Sequence, residues 1–189
     1  MIEVELKARV RSRAATEAAV ASFARPCGAV DKRDAYWHGP DWRLNGDTRG
    51  FRLRSEGHGS IVTFKTKRSE GGVEINRERE FEVSDPEAFN EFALRLGCEP
   101  FYEKRKRGLA FKAGRGAEPG EATIEIIEVS GLGDFIEIEI LLEDEDPARL
   151  ALAQSEIRAF LARSGVREED IEPRFYSELL MEAGLVPRT

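Results

Sequence analysis

The chain has 189 residues with 29 Lys or Arg against 36 Asp or Glu, a formal net charge of −7. That length suits one domain spanning residues 1–189, and the acidity argues against a general binder of nucleic acid or of an anionic membrane. No apolar run approaches the roughly 18–20 residues of a membrane span, and Met1 leads directly into Ile-Glu-Val-Glu-Leu-Lys with no leader signature, so a soluble cytoplasmic protein is expected.

The dominant pattern is alternation of period two, the mark of strands. Ile2 to Val10 sets Glu3, Glu5, Lys7 and Arg9 against Val4, Leu6, Ala8 and Val10. An alanine-rich helix is predicted from Ala14 to Ala24, then a strand from Ala29 to Trp37. Phe51 to Arg54 and Ile61 to Lys67 are predicted strands carrying Arg52, Arg54, Thr63, Lys65 and Lys67 on one parity. Val73 to Val83 carries Glu74, Glu78, Glu80 and Glu82. Asp85-Pro86 reads as an N-cap followed by proline in the first turn, and predicts a helix with an apolar stripe of Phe89, Phe92, Ala93 and Leu96. Pro100 to Phe111 contains the basic run Lys104-Arg105-Lys106-Arg107. Ala122 to Val129 and Phe135 to Leu142 complete the strands, with Glu125, Glu137 and Glu139. Asp146-Pro147 starts a second capped helix with Leu150, Ala153, Ile157, Phe160 and Leu161 on one side, and a last helix runs from about Arg174 to Ala183.

An internal repeat runs through this order. A Glu-x-Glu strand leads to a helix that ends near a cysteine, and a basic strand follows. Glu3/Glu5, Cys27 and Lys32-Arg33 make one copy; Glu78/Glu80, Cys98 and Lys104 to Arg107 make the other. Glu137/Glu139 starts a third passage into a helix. This predicts pseudo-symmetry within about eight mainly antiparallel strands.

Any one of these strands could simply be the wet face of a sheet, where Glu, Lys and Arg are common. Compared with one another, however, the strands are sorted by sign. Glu3/Glu5, Glu78/Glu80/Glu82 and Glu137/Glu139 are acidic, while Arg52/Arg54, Lys65/Lys67 and Lys104/Lys106 are basic. Like charges side by side repel unless an opposite charge sits between them. Paired carboxylates suit a hard cation such as Mg²⁺ or Mn²⁺, and paired cations suit a polyanion such as a triphosphate. A closed barrel with the charged parity inside and helices outside supplies both.

The opening Glu3-Val4-Glu5-Leu6-Lys7 resembles the E-x-E-x-K signature of the CYTH, or triphosphate tunnel metalloenzyme, superfamily. Leu53-Arg54 with Thr63-Phe64-Lys65, Gly131-Leu132-Gly133-Asp134-Phe135-Ile136-Glu137-Ile138-Glu139, and Glu172-Pro173-Arg174-Phe175-Tyr176-Ser177-Glu178-Leu179-Leu180 are similar to its class IV adenylyl cyclase branch. The resemblance implies an eight-stranded antiparallel tunnel, a nucleoside or inorganic triphosphate substrate and Mg²⁺ or Mn²⁺. It implies Glu3, Glu5 and Glu137 as metal ligands, with Glu139 as helper. Lys7, Arg52, Arg54, Lys65, Lys104 and Lys106 are implied grips for phosphate, joined by Lys67 on the same strand. Glu78 and Glu80 are implied either to bind metal or to anchor the cations. A homodimer is what the cyclase resemblance implies. The chain departs from the family at Ile127, four positions before Gly131, where an acidic residue is usual; Glu125 shares the strand parity and is the substitute, whereas Glu128 points the other way.

Two reactions fit: cyclisation of ATP to cyclic AMP with release of pyrophosphate, and hydrolysis of inorganic or thiamine triphosphate. A non-catalytic binder of polyphosphate or nucleotide is the third reading. Lys7 is the candidate catalytic base if cationic neighbours depress its pKa, an effect that Glu3 and Glu5 oppose. No G-x-x-x-x-G-K-S/T is present. His38 and His58 read as surface loop residues. Cys27 and Cys98 read as buried structural thiols at helix ends, and Arg174 with Tyr176 either as a closure for one end of the barrel or, equally well, as residues that only dock the last helix.

Overall fold

The computed structural model describes residues 1–45, 50–57, 59–115 and 120–186. The strands are β1 (Ile2–Arg9), β2 (Arg25–His38), β3 (Phe51–Glu56), β4 (Gly59–Glu70), β5 (Val73–Glu82), β6 (Glu99–Gly114), β7 (Glu121–Val129) and β8 (Gly133–Leu142). They close into an antiparallel barrel in the order β1-β5-β4-β3-β2-β6-β7-β8. The helices are α1 (Arg13–Ala21), α2 (Trp42–Asn45), α3 (Pro86–Arg95), α4 (Pro147–Arg163) and α5 (Tyr176–Glu182). None of the described helices is long and apolar enough to cross a membrane.

The repeat seen in the sequence is a repeat of structure. β1, α1, β2 and the β3–β4 pair are followed by β5, α3, β6 and the β7–β8 pair, and β1 lies beside β5 as β2 lies beside β6. Both proline-containing helix starts are as expected. Asp85 Oδ1 accepts from the backbone N–H of Glu87 and Ala88, and Asp146 Oδ1 from Ala148 and Arg149. These bonds satisfy amides that the helix itself leaves open.

The chain forms two compact units: Met1–Val30, Lys67–Arg77 and Arg107–Thr189 in one, Asp31–Thr66 and Glu78–Lys106 in the other. In the first unit the apolar parity of β1, β7 and β8 (Val4 and Leu6, Ile124 and Ile126, Ile136 and Ile138) is fully buried against Val20 of α1 and Ala153, Ile157 and Leu161 of α4. A second cluster joins Val30, Ile127, Val129 and Phe135 to Tyr176 and Leu179 of α5. Ile127 and Phe135 have the parity of Glu125 and Glu137, so α5 docks at one end of the charged-parity face, and Tyr176 does help to close it. Arg174 instead lies half in solvent, paired with Glu172 and Glu182. In the second unit Trp37 packs with Ala93 and Cys98 below α3, along with half-buried Ala35 and Phe51.

Some sequence expectations are corrected. β2 begins at Arg25, so Cys27 lies in a strand rather than at a helix end, and it is exposed; only Cys98 is buried, and both are free thiols. β2 also continues through His38, which is buried with its ring stacked on Trp42 at 3.9 Å and Phe101 at 4.1 Å. The proline and glycines after Trp37 obscured that continuation. On α3 only Ala93 of the predicted stripe is buried, while Phe92 and Leu96 are 57% and 56% exposed. The Phe89–Ala93 line, four residues apart, is the one turned to the barrel, with Phe89 against Phe51 and Phe81. His58 lies outside the described residues.

Candidate functional site

In the first unit the strand register sorts the charged side chains into rows. Glu5 stands opposite Glu139 on one side and Glu74 on the other, and Glu139 is opposite Thr123. The next row sets Lys7 opposite Glu137 and Glu137 opposite Glu125. Since the alternate residues of β1, β7 and β8 are sealed under α1 and α4, these rows lie on the face turned away from those helices. Glu3, Lys7, Glu74, Asn76, Glu125 and Glu137 are all buried there. Lys7 Nζ sits 2.5 Å from Glu74 Oε1 and faces the rings of Phe175 and Tyr176 at 5.8 and 5.5 Å. Asn76 Nδ2 donates to Glu3 Oε2 at 3.0 Å. The Tyr176 phenol is pushed well above its ordinary pKa by burial, then by the carboxylates of Glu137, Glu5 and Glu74.

Facing carboxylates such as Glu5/Glu139 and Glu125/Glu137 repel one another, and their oxygens are the hard donors that Mg²⁺ or Mn²⁺ takes. The donor chemistry of these rows therefore fits a divalent cation. Among the described residues no three carboxylates, imidazoles or thiols are already grouped to hold one.

The second unit carries the cations. Arg54 forks onto Asp34 through Nε and Nη2 at 2.7 and 3.0 Å, and Lys104 Nζ lies 3.5 Å from Asp34 Oδ2 while donating to the Tyr36 hydroxyl at 2.9 Å. Burial alone would push the Asp34 carboxyl up, but the Arg54 hydrogen bond and the charges of Lys104, Arg54 and Arg52 hold it far below the usual range. Tyr36 is also lowered: burial and Asp34 oppose its ionisation, while Lys104, Arg52 and Lys106 favour it. Its ring stacks on Tyr102 at 4.4 Å. Arg52 donates to Thr63 Oγ1 at 2.9 Å, and Thr63 donates in turn to Glu80 at 2.7 Å. Lys65 pairs with Glu78 at 2.7 Å. Glu78 and Glu80 thus each stand against a basic side chain, Glu78 against Lys65 and Glu80 against Arg52. Lys106 is buried. Lys67 lies in β4, but its side chain is outside those described.

Sequence reasoning passed over Asp34, Tyr36 and Glu74 as site residues. Asp34 and Tyr36 stand opposite Arg54 and Arg52 across β2–β3, a signal available only once the partner strand and its register are known. Ile127, at the position where an acid is usual, is fully buried beside Phe135 and Tyr176. It belongs to the apolar closure rather than to the carboxylate rows.

The family model for the CYTH domain matches residues 1–176. Among solved structures, the PH1012 protein of Pyrococcus horikoshii is 28% identical with a TM-score of 0.76, covering 94% of this chain and 98% of its own. A candidate adenylate cyclase from Vibrio parahaemolyticus is 20% identical with a TM-score of 0.79, covering 96% and 98%. A candidate adenylyl cyclase from Hippeastrum, described as having a dominant triphosphatase activity, is 17% identical with a TM-score of 0.65, covering 98% and 97%. The last two share the fold. Among curated proteins none matches. With the model matched over almost the whole chain and the closed eight-stranded barrel in place, the chain belongs to the CYTH domain family, whose members generally act on triphosphates and generally depend on a divalent metal.

Proposed function

We propose that the protein binds a triphosphate on the charged face of its barrel and breaks a phosphoanhydride bond there, as an adenylyl cyclase-like enzyme that converts ATP to cyclic AMP and pyrophosphate. The observation that carries this reading is the burial of cations and carboxylates sorted by strand: Lys104 and Lys106 on β6, Glu3 on β1, Glu125 on β7 and Glu137 on β8. Burying so much charge is costly unless the fold uses it.

In this reading Arg52, Arg54, Lys65, Lys104 and Lys106 grip phosphate oxygens, each charge-assisted hydrogen bond contributing about 1.5–3 kcal/mol. Asp34, Glu78 and Glu80 hold Arg54, Lys65 and Arg52 in place before substrate arrives, so little reorganisation is left to the reaction. Glu3, Glu5 and Glu137 would hold Mg²⁺ or Mn²⁺, with Glu125 and Glu139 beside them. Bound there, the cation would neutralise charge on the polyphosphate as the bond breaks. Lys7, tied to Glu74, serves as a fixed cation at the edge of the carboxylate rows; a base there would need cationic neighbours, and its contacts in the first unit are an anion and two aromatic rings. A ribose 3′-hydroxyl directed at the α-phosphorus gives cyclisation, and water directed at the γ-phosphorus gives hydrolysis. Triphosphatase activity is the second reading, favoured by Ile127 in place of an acid.

Incubation with ATP, thiamine triphosphate or tripolyphosphate and Mg²⁺ or Mn²⁺, followed by product identification, separates the readings. Cyclic AMP with pyrophosphate supports the first and orthophosphate the second; binding without turnover leaves a non-catalytic binder. The double variant Glu3→Gln with Glu5→Gln is expected to lose turnover while keeping its melting temperature. Near-normal activity in it would remove the metal-ligand assignment.

A further inference from the structure

β6 carries one more lysine on the charged parity. Phe111 and Ala113 are buried in the cluster under α1 and α4, so Lys112 between them must point to the opposite face of the strand, the face of the carboxylate rows. It is half-buried, and its ammonium donates to Thr123 Oγ1 at 2.7 Å. Thr123 obeys the same rule: Ala122 and Ile124 on either side of it are sealed in that cluster. Across the ladder Thr123 stands opposite Glu139, Glu139 opposite Glu5, and Glu5 opposite Glu74. Lys112 therefore ends a row that reads cation, hydroxyl, and three carboxylates.

Other cations described above have a carboxylate for a partner: Lys7 has Glu74, Lys65 has Glu78, Arg54 has Asp34. The side-chain hydrogen bond of Lys112 goes to a neutral hydroxyl, and the backbone of the nearest carboxylate of its row, Glu139, lies two strands from that of Lys112, roughly 10 Å at one ladder spacing per strand. That span accommodates a phosphate group, whose oxygens can meet the ammonium on one side and a carboxylate-held cation on the other. A hydroxyl beside it adds a neutral donor, and the pair makes a half-site for an anion.

We propose that Lys112, held by Thr123, is a substrate-binding cation that takes a phosphate oxygen of the bound triphosphate at the end of the carboxylate row. This rests on the triphosphate reading above. The proposal adds a phosphate contact on the face of the first unit that carries the proposed metal ligands.

The test measures tripolyphosphate binding with Mg²⁺ by calorimetry, alongside melting temperature, for the wild type, Lys112→Met, Lys112→Arg, Thr123→Val and Arg54→Met. Loss of one charge-assisted contact predicts that Lys112→Met weakens Kd about ten- to hundredfold with unchanged stoichiometry. Lys112→Arg should recover most of the affinity, and Thr123→Val should lose only a few-fold. If Lys112→Met binds within twofold of wild type while Arg54→Met is crippled, the Lys112 assignment is wrong and the triphosphate reading stands. A drop in stoichiometry and melting temperature at constant Kd would make Lys112 structural and overturn the proposal. Failure of the wild type to bind tripolyphosphate would remove the reading and this inference together.

Discussion

At the scale of single residues, Asp34 concentrates the largest electrostatic consequence. Its side chain is fully buried, and both Arg54 and Lys104 lean on it. Asp34→Ala would strand those cations and should cost about 3–5 kcal/mol in denaturant unfolding. Because the folded carboxyl is held far below its ordinary value, the stabilisation is present above the unfolded pKa and fades only as pH falls below it. The stability gap between wild type and Asp34→Asn should therefore stay constant from neutral pH down to about pH 5 and shrink below about pH 4. The tyrosines provide a second check. Tyr36 is lowered and Tyr176 raised, so tyrosinate absorbance should rise in separated phases, with Tyr36→Phe deleting the earliest and Tyr176→Phe the latest. A single phase at the ordinary pKa would contradict the environments described for both rings. For Tyr176 the sign also predicts destabilisation in alkali, since the unfolded chain ionises there before the folded one does.

Among the elements, α4 and α5 divide the labour of closing the first unit. α4 seals the apolar parity of the strands, and Ile157 is fully buried in that contact. Ile157→Ala should cost about 2–5 kcal/mol through lost burial and the cavity left behind, whereas Asp146→Ala should cost only about 1 kcal/mol as a lost N-cap. α5 works on the other parity, where Tyr176 meets Phe135 edge-on at 5.2 Å and Leu179 packs with Ile127. This is why the missing acid at Ile127 is a matter of packing. Ile127→Glu would put a carboxylate into that apolar cluster and should lower stability by several kcal/mol, measured by chemical denaturation, without tightening Mn²⁺ binding. A variant as stable as wild type that bound Mn²⁺ more tightly would show that the position belongs to the metal site.

For the molecule as a whole, anion and cation binding should be linked to folding. Tripolyphosphate with Mn²⁺ at about a hundred times Kd should stabilise the wild type by about 2.7 kcal/mol, read as a shift in melting temperature, and should do so much less for Glu3→Gln with Glu5→Gln. An equal shift in both proteins would mean that these carboxylates are not part of the metal site.

The sequence by itself determined the strands, both capped helices, the repeat and the parity of the charges. These are local properties: alternation follows from the pleat, and Asp-Pro starts a helix by satisfying its own first amides. The E-x-E-x-K of Glu3 to Lys7 together with the Gly131 to Glu139 stretch was also enough to point to the CYTH family. Only the tertiary structure decided which charges face one another. Asp34 acquires its meaning from Arg54 opposite it on β3, Glu78 from Lys65, Glu74 from Lys7, and Ile127 from Tyr176. His38 and Cys27 were misread for the same reason, since strand ends are set by the partner strand rather than by local pattern. Register is a long-range property of paired strands, and electrostatic roles are fixed by register.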